Sequence, residues 1–238
     1  MDIYVTLQGM ALTPTLITSL IVVTLLILFF ISCSIMIKKA DPTKPSKGMV
    51  ALLEMVYRAI VSFNEDAVGD KAPKYVTFIM TLAAYLAIAN LTSLVGFSPP
   101  TTEFSITLAL TLVTLAYIMF SGIVAKGLGG YLKDTYLGDV PWVMWFLFLP
   151  INLIGELSKI ISFSFRLFGN IMSGALLLGL VVYFFGWLFN LMPTIGWLPA
   201  LTLPFLNAYF DIFAGLMQTF IFCTLTMVFI KVATERDA

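Results

Sequence analysis

Residues 149–174 read Leu149-Pro-Ile-Asn-Leu-Ile-Gly-Glu-Leu-Ser-Lys-Ile-Ile-Ser-Phe-Ser-Phe-Arg-Leu-Phe-Gly-Asn-Ile-Met-Ser-Gly174. The run is almost wholly apolar, yet it carries Glu156, Lys159 and Arg166. It sits inside a longer apolar stretch, Val140 to Asn190, in which no proline follows Pro150 until Pro193. About 40 residues of helix reach about 60 Å, twice the roughly 30 Å hydrocarbon core of a bilayer. The stretch therefore holds either a tight turn near Gly155, Gly169 or Gly174, or one long helix steeply tilted in the membrane. Ser-Phe-Arg-Leu-Phe-Gly contains good helix formers and no turn dipeptide, which favours the single tilted helix.

Composition places the whole chain in the same setting. Of 238 residues, 60% are hydrophobic and 11% charged, with a mean hydropathy of +1.01; soluble domains carry about 25% charge. Helices satisfy their own backbone groups and are the natural way for such runs to cross lipid. Thr15–Ile37 and Phe104–Ala125 are uncharged runs of spanning length, and Tyr75–Thr102 is a third, broken at Pro99-Pro100. The first is too long, and its flank too poor in Lys or Arg, for a cleaved signal peptide, so it reads as a mature span. A last long segment, Leu198 to Lys231, has Pro204 near its start, where a first turn or a kink tolerates it.

Sidedness follows from charge. Lys38, Lys39, Lys44, Lys47, Arg58, Lys71 and Lys74 lie between the first and second spans, Lys126 and Lys133 after the third, and Lys231 and Arg236 at the C-terminus. The N-terminus, Gly96–Glu103 and Leu191–Pro199 contain no basic residue. The positive-inside rule then puts the N-terminus outside and the C-terminus in the cytoplasm, joined by about five crossings. Across Met49–Asp66 and the Lys47 before it, a quarter of the helical wheel carries Lys47, Glu54, Arg58, Ser62 and Glu65, as in a helix lying on the cytoplasmic surface; a simple capping loop is the alternative.

The fold expected is an all-α integral membrane protein with a long, tilted two-helix hairpin and a cytoplasmic amphipathic helix. A single membrane domain, 1–238, divides into an N-terminal span and basic loop (1–48), the surface helix (49–72), a two-span hairpin (73–125) and the tilted hairpin (126–238).

Several chemistries are excluded. The sequence has no histidine, which removes His-ligated haem, the common zinc sites and Ser-His or Cys-His nucleophile pairs. Cys33 and Cys223 lie far apart in apolar runs and read as small buried residues. Lys126-Gly127-Leu-Gly129-Gly130 lacks phosphate-loop spacing. No cofactor, no metal centre and no catalytic site are expected, and zero net charge argues for no nucleic-acid partner.

Two polar stripes remain. Glu156, Lys159, Arg166 and Asn170 fall within about 80° of one another on a helical wheel, and so do Asn207, Asp211, Gly215 and Gln218 on the final segment. An arginine at mid-membrane costs about 2.5–3.5 kcal/mol on insertion scales, so function is the default reading. The plain alternative is that Arg166 pairs with Asp211 to hold two helices together. Glu156 and Lys159 have the alternative of snorkelling, and Asn170 and Gln218 of acting as interhelical glue. Arginine keeps its charge when desolvated, where a lysine can lose it. Beside a moving carboxylate, a fixed cation lowers the carboxylate's pKa, drives off its proton or cation, and repels a cation that tries to leak through.

Phe165-Arg-Leu-Phe-Gly-Asn170, with Leu149-Pro150-x-Asn152, Glu156, Asn90-Leu91, Pro99-Pro100-Thr101, Lys126-Gly127-x-Gly129 and Gln218-x-Phe220-Ile221-Phe222, resembles subunit a of F-type ATP synthases. The resemblance covers about Phe78 to Ile230. It implies a noncatalytic stator subunit with a ring of c subunits, the b-subunit peripheral stalk and the F1 sector as partners, in a bacterial cell membrane. It further implies two aqueous half-channels that carry H+ or Na+ to and from ring carboxylates, with Arg166 between them. Asn170 and Gln218 then line the Arg166 region, while Glu156, Lys159 and Ser162 belong to an access path. Many proton-driven relatives carry a Glu/His pair where this chain has Ala175 and Asp211, which leaves Asp211 to relay protons alone or, with nearby oxygens, to serve Na+; Asn207, on the same stripe, is a further expected ion-path residue. The rival readings are a self-contained transporter that binds an anion at Arg166 and a noncatalytic anchor subunit of a respiratory complex.

Overall fold

The computed structural model describes residues 5–7, 10–39, 48–68, 72–138, 141, 144–191 and 198–235. A short antiparallel ribbon, β1 (Val5–Leu7) and β2 (Met10–Leu12), with Val5 opposite Leu12, precedes the helices. It is a small addition to the expected all-α fold. The helices are α1 (Pro14–Lys39), α2 (Met49–Val68), α3 (Ala72–Leu91), α4 (Phe104–Lys126), α5 (Leu128–Leu132), α6 (Trp145–Leu191) and α7 (Leu198–Thr234). Five of them, α1, α3, α4, α6 and α7, are long and apolar enough to cross a membrane.

The long apolar stretch is one helix. α6 runs unbroken for 47 residues through Pro150 and every glycine of the run, about 70 Å at the α-helical rise. Pro150 stands in the second turn, where few backbone donors are lost. With α7 it forms the expected hairpin, and a helix of this length lies within a bilayer only at a steep tilt.

α3 ends earlier than its apolar run. A 3-10 turn, Thr92–Val95, takes over at once and closes on Gly96 at φ 88°. The hydroxyls of Thr92 and Ser93 donate to the carbonyls of Ala89 and Asn90 at 2.7 and 3.2 Å, offering the backbone a local alternative to another helical turn. Pro99-Pro100 therefore lies in the connection, at the start of a second 3-10 turn, Pro100–Thr102.

The core lies where α3, α4, α6 and α7 meet. Leu86, Leu115, Phe163, Leu167, Phe222, Met227 and Ile230 are buried there together, with Phe163 and Phe222 edge-to-face at 5.0 Å. Lipid tails are as apolar as these side chains, so packing and polar contacts, not the escape of apolar surface from water, hold the helices together. Thr114, Ser121, Thr226 and Thr234 each donate to the carbonyl one turn back, which lets hydroxyls sit at helix contacts without an exposed donor.

α1 joins through Val22 and Leu26 against Ala89, through Ser19 and Tyr85 at 3.0 Å, and through Thr15, whose hydroxyl donates to Glu103. α2 is a helix and not a capping loop. Its Glu54–Arg58 pair closes at 2.5 Å on the exposed side, and Ile60 packs on the core. The Lys47 and Glu65 side chains of its polar stripe lie outside the described residues. Cys33 and Cys223 are both free and buried.

Candidate functional site

α6 and α7 bring the two polar stripes together at one level. Asn170 donates from Nδ2 to the Ala214 carbonyl at 3.2 Å and to Gln218 Oε1 at 3.5 Å. Gln218 is buried, its Nε2 without a partner. The backbone carbonyl as acceptor decides which end of the Asn170 amide is nitrogen.

Arg166 stands one turn before Asn170, exposed, in an open groove of about 730 Å³ walled by Phe165, Gly169, Met217 and Gln218 among others. Leu167 beside it is fully buried, so the helix turns its apolar face inward and the guanidinium outward. Among the described residues Arg166 makes no ion pair. The expected alternative of an Arg166–Asp211 bridge is not formed. Asp211 faces another cavity, with Oδ2 buried and unpartnered.

A cavity of about 170 Å³ holds Asp211, at the end of the bundle away from the basic loops, between the α3–α4 connection and the α6–α7 pair. Asn90, Ser93 and Thr102 come to it from one side, and Asn170, Ala175 and Gly215 from the other. Asn90 locks the two sides together: it donates to the Gly215 carbonyl at 3.1 Å and accepts from Thr101 at 2.8 Å, both bonds buried. A Cβ on Gly215 would lie 2.9 Å from that of Asn90, so the glycine is what permits the approach.

A larger cavity, about 530 Å³, opens at the other end, where Lys126, Asp134, Asn152, Glu156, Lys159 and Glu235 meet. Lys159 and Glu156 pair at 2.5 Å along α6, and the Lys159 ammonium lies 5.2 Å from the Phe229 ring centre. Both side chains are half-buried and line the cavity as a pair.

Segment 128–137, α5 and a π-turn over Lys133–Leu137, lies along this cavity. Lys126 pairs with Asp134, the Asn152 amide donates to the Tyr136 carbonyl at 3.1 Å, and Tyr131 lies against Gly122. Burial pushes the Tyr131 hydroxyl above its ordinary pKa; the Thr135 hydrogen bond opposes this, and the charge of Glu156 adds to it. Burial, then Glu156, raise Tyr136 likewise.

Of the expected site residues, Arg166, Asn170 and Gln218 share the groove, Asp211 lies in the smaller cavity, and Glu156 and Lys159 lie in the larger. Ser162 is exposed on α6 and lines none of the three. Asn207 belongs to α7, but its side chain lies outside those described. Ser93, Thr102, Tyr131, Asp134 and Glu235 were not anticipated. Among the other cavity residues, Asn90, Lys126 and Asn152 had a signal as parts of the matched motifs, and Gly215 as part of the second polar stripe.

The chain matches the family described as ATP synthase A chain over residues 16–231. It is 33% identical over 196 residues to ATP synthase subunit a 2 of Acaryochloris marina, covering 82% of this chain and 75% of that protein. It is 32% identical over 219 residues to ATP synthase subunit a of Helicobacter pylori strain P12, covering 91% and 88%. With ATP synthase subunit a of Albidiferax ferrireducens the identity is 34% over 186 residues, covering 77% and 71%. The five helices of spanning length and these matches lead to one conclusion: the chain belongs to the ATP synthase subunit a family, multi-pass membrane proteins of the Fo sector that work in complex with the other subunits of the enzyme.

Proposed function

We propose that this chain is the ion-translocating stator of a bacterial ATP synthase, set in the cell membrane with its N-terminus outside and its C-terminus in the cytoplasm. What carries the reading is the placement of Arg166: exposed, unpaired among the described residues, and on α6 between two cavities at opposite ends of the α6–α7 hairpin. At 1.5 Å per residue, Lys159 is about 10 Å from it along the axis and Ala175 about 14 Å on the other side.

The Asp211 cavity and the Lys159–Glu156 cavity serve as the two half-channels, and the groove at Arg166 is the face along which a ring of c subunits turns. An ion, H+ or Na+, enters one cavity, neutralises a ring carboxylate, and travels through lipid until that carboxylate approaches Arg166 from the far side. There the fixed guanidinium lowers the carboxylate's affinity for its ion, which leaves by the second cavity. The same charge closes the direct route. Each elementary charge crossing is worth about 2.3 kcal/mol per 100 mV, so a leak past Arg166 dissipates the gradient ATP synthesis needs. The b stalk holds the chain still against the ring, and the F1 sector carries out the ATP chemistry. Asn170 and Gln218 hold the α6–α7 contact at the level of the arginine.

Arg166→Ala tests this. The complex is expected to assemble and ATP-driven ion uptake into liposomes to fall to background; robust pumping by that variant refutes the assignment. Co-purification with a c ring and soluble ATPase subunits separates the reading from a self-contained transporter, which moves its substrate alone.

A further inference from the structure

The polar groups around Asp211 share one feature: their hydrogens are turned away. Ser93 donates its hydroxyl to the Asn90 carbonyl at 3.2 Å and Thr102 donates to the Pro99 carbonyl at 2.7 Å. Asn90 directs its amide nitrogen to Gly215, and Asn170 directs its own to Ala214 and Gln218. These four residues line the cavity with Asp211 and leave it lone pairs: the hydroxyl oxygens of Ser93 and Thr102, the Oδ1 of Asn170, and a carboxylate whose Oδ2 is buried without a partner. None of the described lining residues is basic, and Asp211 is the one acid among them.

The few polar side chains in this otherwise apolar, partly open cavity offer acceptors and no free donor, a set complementary to a hard cation, which prefers carboxylate, hydroxyl and amide oxygens. Charge sets its valence. One carboxylate neutralises one positive charge, whereas a divalent ion would leave a net charge in low dielectric. A proton is a poorer fit, since protonating Asp211 supplies one donor to several oxygens, and the chain has no histidine to pass the proton on. The volume, about 170 Å³, admits an ion with a few waters, each taking about 30 Å³.

We propose that the cavity between the α3–α4 connection and the α6–α7 pair is a Na+-binding site, with Asp211 as its charged ligand and Ser93, Thr102 and Asn170 as neutral oxygen ligands. The site rests on the reading of this cavity as an aqueous path and names the ion it takes.

Its test uses the purified complex carrying Ala175→Cys, with Leu178→Cys as a second reporter. Both positions line the cavity and neither is a ligand. Cys33 and Cys223 are buried, and the parent complex serves as the blank. The rate of modification by 2-aminoethyl methanethiosulfonate is followed by mass spectrometry while Na+ replaces choline at constant ionic strength. Occupancy slows modification by the factor 1 + [Na+]/Kd, about tenfold at about nine times Kd, and Asp211→Asn abolishes this protection. Modification that proceeds at one rate at every Na+ concentration overturns the Na+ site and leaves the aqueous path standing. Failure of both reporters to react overturns the path and the site together.

Discussion

Gly215 and Asn90 are 125 residues apart in sequence and touch through backbone and amide. The contact fixes the spacing between α7 and the end of α3 one turn from Asp211, and the Thr101 bond ties the α3–α4 connection to the same point. A methyl group at 215 would strike Asn90 at 2.9 Å, and Asn90 cannot yield without giving up buried bonds to Gly215 and Thr101. Overpacking of this kind costs about 1–3 kcal/mol, so Gly215→Ala is expected to lower the Tm of the complex and its ATP-driven transport together. A variant with unchanged Tm argues that the two elements are not held this closely. Asp211→Asn probes charge at nearly constant shape. It is expected to impair coupling less completely than Arg166→Ala, with the pH or Na+ dependence of transport shifted; a loss as complete as that of Arg166→Ala would place Asp211 on a level with the arginine.

Segment 128–137 shows how an element without apolar length is held in place. Gly127 and Gly138 bound it at φ 77° and 66°, conformations that glycine adopts without a Cβ penalty. Between them Tyr131 is buried against Gly122, where a Cβ would come within 2.5 Å of its ring. Gly122→Ala is therefore expected to expel Tyr131 and expose 128–137 to proteolysis, while Gly122→Ala with Tyr131→Ala costs less than the sum of the two single changes. Additive effects in that cycle would mean that the two residues do not share one space. The raised Tyr131 pKa gives the pH sign: the folded state favours the neutral phenol, so docking is full below tyrosine's ordinary value of about 10 and weakens as pH climbs past it.

These elements also mark what could be read in advance. α6 was legible because 47 residues without a turn signal have few other conformations in lipid, and the polar stripes because a helical wheel needs only the sequence. The end of α3 was missed because two hydroxyls, Thr92 and Ser93, decide it inside an otherwise apolar run. The Asp211 cavity was only partly legible, since three of its walls come from a connection whose position depends on a tertiary bond from Asn90.

At the scale of the molecule, charge and cavities share one polarity. The larger cavity lies among Lys126, Asp134, Glu156, Lys159 and Glu235, at the end where α1 finishes in Lys38 and Lys39 and α7 passes Lys231. The smaller lies at the opposite end, beside a connection, 92–103, whose one charged residue is Glu103. Positive charge is retained on the cytoplasmic side during insertion, so the larger cavity should open to the cytoplasm and the smaller to the outside. Exposed positions in the two connections report this directly. Ser98→Cys is expected to react with an impermeant thiol reagent in right-side-out vesicles and Leu128→Cys only in inverted ones, both positions being exposed. The reverse pattern would invert the chain and exchange entry and exit, while Arg166 would keep its place between them, because its position along α6 does not depend on which face is the cytoplasmic one.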